Sequence, residues 1–314
     1  MIADAHLDLA MLAPQRDLTQ PVPSGEQGPL VSFPDLLRGQ VALCFATVYV
    51  HGYRSPAEAE AQGLAQLAQY RSWEQQGLIR ILESRAGLQS HLASWDGRGP
   101  VGALLLLEGA DPLPAPEALA DWAAMGLRLI GPAWSATRYS GGTGAPGPLT
   151  DLGHALLEQI VRLGLILDVS HLSEEAFWQA LAYQPKLVAT HSNARALVPT
   201  DRQLSDAMLD AIAARDGRVG VVLFNRFLDP SWERGRPRLP RAAVGRQLRH
   251  LAARVGWGRL GIGSDFDGGF DRSATPLGLD SAADLGKLAD LVPPEHRVGF
   301  LGRNWTDWLL ENLA

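Results

Sequence analysis

Five segments of this 314-residue chain end an apolar run in imidazole or carboxylate groups. They are His6-Leu7-Asp8, Glu108 directly after Ala103 to Leu107, Asp168-Val169-Ser170-His171, Thr190-His191-Ser192-Asn193, and Gly263-Ser264-Asp265-Phe266-Asp267. Only eight histidines exist, so three at such positions is a non-random placement. Period-2 alternation puts His6 and Asp8 on one face of their strand. Buried together, these carboxylates would repel one another unless cations neutralised them. The pattern therefore predicts a metal site. Imidazole with carboxylate suits zinc or a similar first-row ion, and more than four groups are on offer. Two ions sharing one carboxylate fit best: His6 and Asp8 on one, His171 and His191 on the other, and Glu108 bridging. Two such ions about 3.5–4 Å apart activate a bridging water as hydroxide and polarise a carbonyl at once. Asp265 is placed to accept the proton from that water as general base.

The elements that would position these groups are short apolar strands alternating with amphipathic stretches. Eight strands are expected: Ile2 to Leu7, Val41 to Val50, Val101 to Leu107, Leu127 to Ile130, Leu165 to Val169, Leu187 to Thr190, Val219 to Phe224 and Leu260 to Ser264. Helices are expected over Phe33 to Arg38, Pro56 to Gln76, Pro116 to Met125, Asp151 to Leu163 and Ser173 to Tyr183. Three more follow, over Ser205 to Arg215, Arg241 to Val255 and Ser281 to Leu291. Ser173 and Ser205 stand as N-caps and Pro56 at a first helical position. Near-continuous apolar strands between helices indicate a parallel sheet covered on its faces. Eight such units predict one closed (β/α)₈ TIM-type barrel of the α/β class, a single domain over residues 1–314. Its βα loops are long, and an extra C-terminal helix runs over Glu295 to Leu313, broken near Gly302. In such a barrel the active site lies at the C-terminal strand ends, where all five segments fall. Arg138-Tyr139-Ser140-Gly141-Gly142-Thr143-Gly144 reads as a mobile loop over that mouth.

Composition removes other classes. Hydrophobic residues make up 46% and charged residues 20%, which excludes wholesale disorder. The formal charge of −6 gives no support to a nucleic-acid partner. The one cysteine, Cys44, permits neither an intrachain disulfide nor a cysteine zinc cage, and its mid-strand position reads as core. No apolar run reaches membrane-spanning length and the N-terminus lacks a signal-peptide pattern, so a cytoplasmic chain with no membrane partner is expected. There is no nucleophile elbow and no phosphate loop, since Gly286-Lys287-Leu288 lacks the hydroxyl residue.

Taken in order, Asp4-Ala5-His6-Leu7-Asp8, Leu107-Glu108-Gly109, Leu167-Asp168-Val169-Ser170-His171, His191-Ser192-Asn193-Ala194-Arg195-Ala196 and Gly261-Ile262-Gly263-Ser264-Asp265-Phe266-Asp267-Gly268 resemble a known family. It is the membrane dipeptidase (renal dipeptidase, peptidase M19) family of the metal-dependent hydrolase superfamily. The likeness runs on to Gly302-Arg303-Asn304-Trp305, nearly the whole chain. It implies a barrel with a binuclear zinc site that hydrolyses small dipeptides, often with a D-residue at the C-terminal side; a homodimer is left open. By position the family's metal ligands fall on His6, Asp8, bridging Glu108, His171 and His191, and its active-site aspartate on Asp265. The family's arginine, which pairs with the substrate's free carboxylate, falls on Arg202, and a guanidinium suits bidentate carboxylate binding. Related hydrolases bridge their metals with a carboxylated lysine. Here only Lys186 and Lys287 exist, neither at a strand's C-terminal end, so the bridge falls to Glu108.

One position departs from the pattern. The family carries a histidine at the end of the fourth strand that stabilises the tetrahedral intermediate, whereas Gly131-Pro132-Ala133-Trp134-Ser135 places Trp134 there. An indole N–H donates a hydrogen bond but carries no positive charge. Losing one such donor costs on the order of 10²–10³ in rate. Either His51 or Arg138 substitutes, or the chain differs in activity. The alternatives are a hydrolase of another small amide or lactam, and a catalytically weakened metal-binding homologue serving as a binding protein.

Overall fold

The computed structural model describes residues 1–313. Its apolar runs form eleven strands: β1 (Ile2–Leu7), β2 (Val41–Tyr49), β3 (Ile79–Ile81), β4 (Val101–Glu108), β5 (Leu127–Gly131), β6 (Ser140–Gly142), β7 (Ala145–Leu149), β8 (Ile166–Asp168), β9 (Lys186–Ala189), β10 (Arg218–Val221) and β11 (Leu260–Ile262). Eight of them pair in parallel in the circular order β1-β2-β4-β5-β8-β9-β10-β11, closing a TIM-type barrel. Those eight coincide with the expected strands to within a few residues. β3 was not expected. It pairs with Val101 to Ala103 of β4, below the point where β5 takes over the same edge at Leu105.

Alternation along β4 divides the core into two sets. Leu105 and Leu107 pack outward with helix residues such as Leu67, Tyr70 and Trp73. Leu104 and Leu106 join Leu43, Phe45, Leu129, Ile166 and Val188, together with Trp305 and Trp308 of the C-terminal helix. Glu108 continues the second set, so the pleat itself turns its carboxylate toward the barrel axis. The C-terminal helix Asn304–Asn312 packs against the start of β11, with Asn304 Nδ2 donating to Leu260 O at 2.7 Å and Trp305 Nε1 to Ile262 O at 3.1 Å. The expected break near Gly302 is a π-helical turn, Gly299–Arg303.

The helix starts follow the capping pattern. Ser55, Ser173 and Ser205 accept backbone N–H groups of Glu58, Ala176 and Met208, each cap contributing about 1 kcal/mol. The segment expected as a helix over 281–291 is instead wound as 3₁₀ turns, Ala282–Leu291, held by a capping box between Ser281 and Asp284. The helix Arg85–Ser94 was not anticipated. The Gly-rich segment read as a mobile loop is a β-hairpin. β6 and β7 pair antiparallel, Ser173 N donates to Gly141 O at 3.2 Å, and Thr143 N donates to Trp134 O at 3.1 Å. These bonds fasten it to the loops after β5 and β8. Among the described residues, no helix is long and apolar enough to cross a membrane.

Candidate active site

Three imidazoles from three strand ends meet at one carboxylate oxygen. Glu108 Oε1 lies 3.1 Å from His171 Nε2, 3.2 Å from His191 Nε2 and 3.5 Å from His6 Nε2. Asp8 Oδ2 is 3.9 Å from His6 Nε2, and the His171 and His191 Nε2 atoms are 3.0 Å apart. His6 lies on β1 and Asp8 just past it, Glu108 ends β4, and His171 and His191 lie just beyond β8 and β9. Barrel closure makes them neighbours. All five are buried.

Two triads, Glu108 with His171 and His191 and Glu108 with His6 and Asp8, each offer ligand atoms within 4.8 Å of one another. His6 Nε2, Asp8 Oδ1 and Glu108 Oε1 are buried with no hydrogen-bond partner. Orphaned polar atoms of this kind cost several kcal/mol in an apolar interior, and a cation would satisfy them together. The donor set therefore fits first-row metal ions.

The electrostatics point the same way. Burial disfavours charge on every group, yet the fields of Glu108 and Asp8 outweigh it at His6 and push its imidazole up to about 10. Burial and the nearby Arg202 hold His171 down to about 4. Burial, with the charge of His6, holds His191 well below the ordinary range. Asp8 is pushed up to about 7 by burial and by Glu108.

The cluster floors a cavity of about 500 Å³ that Asp265, Arg202, Trp134 and His51 also line. Asp265 sits three residues past β11 in left-handed backbone, φ +58°, a conformation costing on the order of 1 kcal/mol or more outside glycine. Burial raises its carboxyl well above the usual range, and Asp8 and Glu108 add to the rise. Next to it, Gly268 must be glycine, because a Cβ there would stand 1.8 Å from Asp265 Oδ1. Arg202 is buried, with Nη1 donating to Ser170 O at 2.8 Å and Nη2 to His191 O at 2.7 Å. Its Nε has no partner. Trp134 is 46% exposed in the cavity wall, stacked on His171 at 5.8 Å and inclined to Tyr49 at 5.6 Å.

The chain matches the family model for membrane dipeptidases, peptidase family M19, over residues 1–293. It belongs to that family. Two solved structures are similar over nearly the full length. One is the dipeptidase AC, a metallopeptidase of family M19, with 28% identity, TM-score 0.86 and coverage of 99% of this chain and 98% of that one. The other is a metallopeptidase from Rhodobacter sphaeroides bound to a phosphinate mimic of the dipeptide L-Ala-D-Ala, with 28% identity, TM-score 0.85 and coverage of 100% and 99%. An uncharacterised protein encoded in the pqqA 5′ region of Klebsiella pneumoniae is 41% identical over 200 residues, which is 58% of this chain and 71% of that protein.

Within this membrane dipeptidase family member, the two groups considered as substitutes for the strand-4 histidine behave differently. His51 stacks on Tyr49 at 5.7 Å and reaches the cavity rim. Arg138 is outside the lining. Its Nη2 donates to the carbonyls of Asp111 and Leu113 at 3.1 and 2.6 Å, and it holds a loop instead. Both lysines are remote from the cluster in their bonding: Lys186 donates to Asn312 O and Lys287 pairs with Asp284.

Sequence reasoning overlooked the groups that brace the surroundings of this cluster. Asp4 accepts Ser264 N at 2.8 Å and Ser264 Oγ at 2.5 Å, tying β1 to the segment bearing Asp265. Its place two residues before His6 on the same face was the available signal. Asp267 accepts Arg16 Nη2 at 2.6 Å and the backbone N–H groups of Leu30 and Val31, strapping the segment before the helix Phe33–Arg38 beside the mouth. Thr143 Oγ1 contacts His171 Nδ1 at 3.1 Å from the tip of the unexpected hairpin.

Proposed function

We propose that the protein is a binuclear zinc dipeptidase that hydrolyses the peptide bond of short peptides with a free C-terminal carboxylate. The observation that carries this reading is the convergence of three imidazole Nε2 atoms and Asp8 on Glu108. In it His6 and Asp8 would hold one ion, His171 and His191 the other, and Glu108 both. When bound, such ions supply Lewis-acid activation of water and of the scissile carbonyl. The chain's own groups do the rest. Asp265, whose carboxyl burial makes a stronger base, takes the proton of the attacking water and delivers it to the departing amine. Arg202 spends its Nη1/Nη2 edge on two backbone carbonyls, which leaves the Nε–H and one Nη2–H as a bidentate edge for the substrate carboxylate. Trp134, Tyr49 and His51 form an aromatic wall beside the scissile bond.

A D-residue at the C-terminal side belongs to the reading, supported by the dipeptide mimic bound to the similar Rhodobacter sphaeroides enzyme. One observation favours a second reading: Trp134 lines the cavity with an indole where a protonatable side chain is expected. Under it the substrate is another small amide or a lactam bearing a carboxylate.

The test is a panel of L,L- and L,D-dipeptides, N-acyl amino acids and lactams given to zinc-loaded enzyme, with Asp265→Asn alongside. Dipeptide turnover, falling by roughly 10²–10⁴ in Asp265→Asn at unchanged zinc content, is expected. Turnover confined to the other amides would move the assignment to the second reading. None on any substrate, with two zinc ions bound, would overturn both.

A further inference from the structure

Thr190 follows β9 with its hydroxyl inside a ring of polar groups. Oγ1 lies 2.6 Å from Asp168 Oδ2, 2.8 Å from His191 Nδ1, 3.2 Å from Ser170 Oγ and 3.3 Å from His6 Nδ1. The neighbouring strands close tightly on this residue. A Cβ at Gly220 or Gly263 would stand 2.0 or 1.8 Å from Thr190 O, so both positions must be glycine for the backbone to approach.

A proton count gives one consistent set of directions to these bonds. Asp168 Oδ1 accepts Ser170 N at 3.1 Å, Ser170 Oγ at 2.6 Å and Thr190 N at 3.0 Å, and Oδ2 accepts the Thr190 hydroxyl. Two backbone N–H groups and the Ser170 hydroxyl thus occupy Oδ1, and Thr190 Oγ1 is the partner of Oδ2. When the one hydroxyl proton of Thr190 goes to Asp168, its two lone pairs are left for two N–H donors. Nδ1–H of His6 and Nδ1–H of His191 are then the N–H donors within reach. A neutral imidazole with its proton on Nδ1 presents a bare Nε2, and both Nε2 atoms face Glu108.

We propose that Thr190, charged through Asp168, is a positioning residue that sets one tautomer in two histidines on opposite halves of the metal cluster. The inference rests on the ligand assignment proposed above. A metal ligand's second nitrogen ordinarily has its own outer partner; here one hydroxyl serves two ligands and so couples the two halves. The atoms of His6, Asp168 and His191 also lie within 4.8 Å of one another, as a third cation site would require. Thr190 Oγ1 already stands within hydrogen-bonding distance of all three, which makes this triad a hydrogen-bond node.

The test combines ¹⁵N-histidine NMR of the full-length metal-free protein with zinc titration against a chromophoric chelator. His191 is expected to carry its proton on Nδ1 in the parent and in Thr190→Ser, and to lose that preference in Thr190→Val. Zinc affinity is expected to fall roughly 10–100-fold for both ions in Thr190→Val and to return in Thr190→Ser. Asp168→Asn gives an independent reading should Thr190→Val not fold. Three donors hold the amide oxygen at the Oδ1 position, so the NH₂ group faces Thr190 and turns its hydroxyl proton onto a histidine. One ion is then expected to weaken more than the other. A bare Nδ1 on His191 in the parent, parental affinity in Thr190→Val, equal weakening of both ions in Asp168→Asn, or a third zinc lost with Thr190 would overturn the proposal. Because neither readout uses turnover, failure of the dipeptidase reading would show separately, as intact zinc binding without hydrolysis.

Discussion

Arg202 donates from Nη2 to the carbonyl oxygen of His191 at 2.7 Å, joining the proposed reader of the substrate carboxylate to the backbone of a proposed metal ligand. The guanidinium is thereby fixed in plane, with Phe227 beneath it at 5.4 Å. Its free edge is oriented before any substrate arrives, which lowers the entropy cost of binding.

Replacing this arginine separates charge from geometry. Arg202→Lys keeps the charge but loses the fork, so KM for dipeptides is expected to rise roughly 10–100-fold, in line with one or two charge-assisted bonds. The check compares each dipeptide with its C-terminal amide. The parent should discriminate strongly between the two, and Arg202→Lys should discriminate little. Equal discrimination in both proteins would remove Arg202 from carboxylate recognition.

Glu108 Oε1 lies within 3.5 Å of an imidazole from each proposed half of the cluster. Glu108→Gln is expected to lose both ions under dialysis that leaves the parent fully loaded, measured by elemental analysis. The loss in affinity should exceed the roughly 10–100-fold typical of an outer-partner mutation. Retention of two ions would refute the bridging role.

Metal removal should loosen the whole barrel, because the ligands come from four strand ends. With zinc at about 1,000 times its Kd, linkage contributes about 4 kcal/mol to the folded state. A chelator is therefore expected to lower Tm by on the order of 10 °C in calorimetry, with recovery on adding zinc. An unchanged Tm would mean that no ion binds the folded state tightly.

Trp134 tests whether the aromatic wall replaced chemistry with recognition. Trp134→His is expected to raise kcat roughly tenfold on dipeptides with small side chains, since one stabilising donor is worth 10²–10³ at most. It should also raise KM for dipeptides with aromatic side chains, which lose a stacking surface. Steady-state kinetics on both series would show the split, and parallel changes in the two would argue against it.

Cys44 is fully buried on β2, and burial pushes its thiol well above the ordinary range. The native protein should release no chromophore from a disulfide reagent, while denatured protein should release one equivalent. Reaction in the native state would place the thiol at the surface.

From the sequence alone came the eight barrel strands, because a strand buried on both faces needs an uninterrupted apolar run, and such runs are visible one residue at a time. The cluster of His6, Asp8, Glu108, His171 and His191 was legible for the same reason, since polar groups ending those runs stand out against them. Less was visible wherever the deciding partner lay far along the chain. β3 is three residues long and exists only because the lower edge of β4 is open to it. The hairpin of Ser140–Gly142 and Ala145–Leu149 looked like a glycine-rich loop, because its bonds to Trp134 and Ser173 come from other βα units. Arg138 could not be told from a cavity residue until its carbonyl partners were known. Thr190 has nothing in its local sequence to mark it. Its hydroxyl gains meaning from Asp168, 22 residues away, and His6, 184 residues away. Residue type and spacing determine what a strand end can offer. Which groups meet there, and which proton faces which lone pair, is decided by barrel closure.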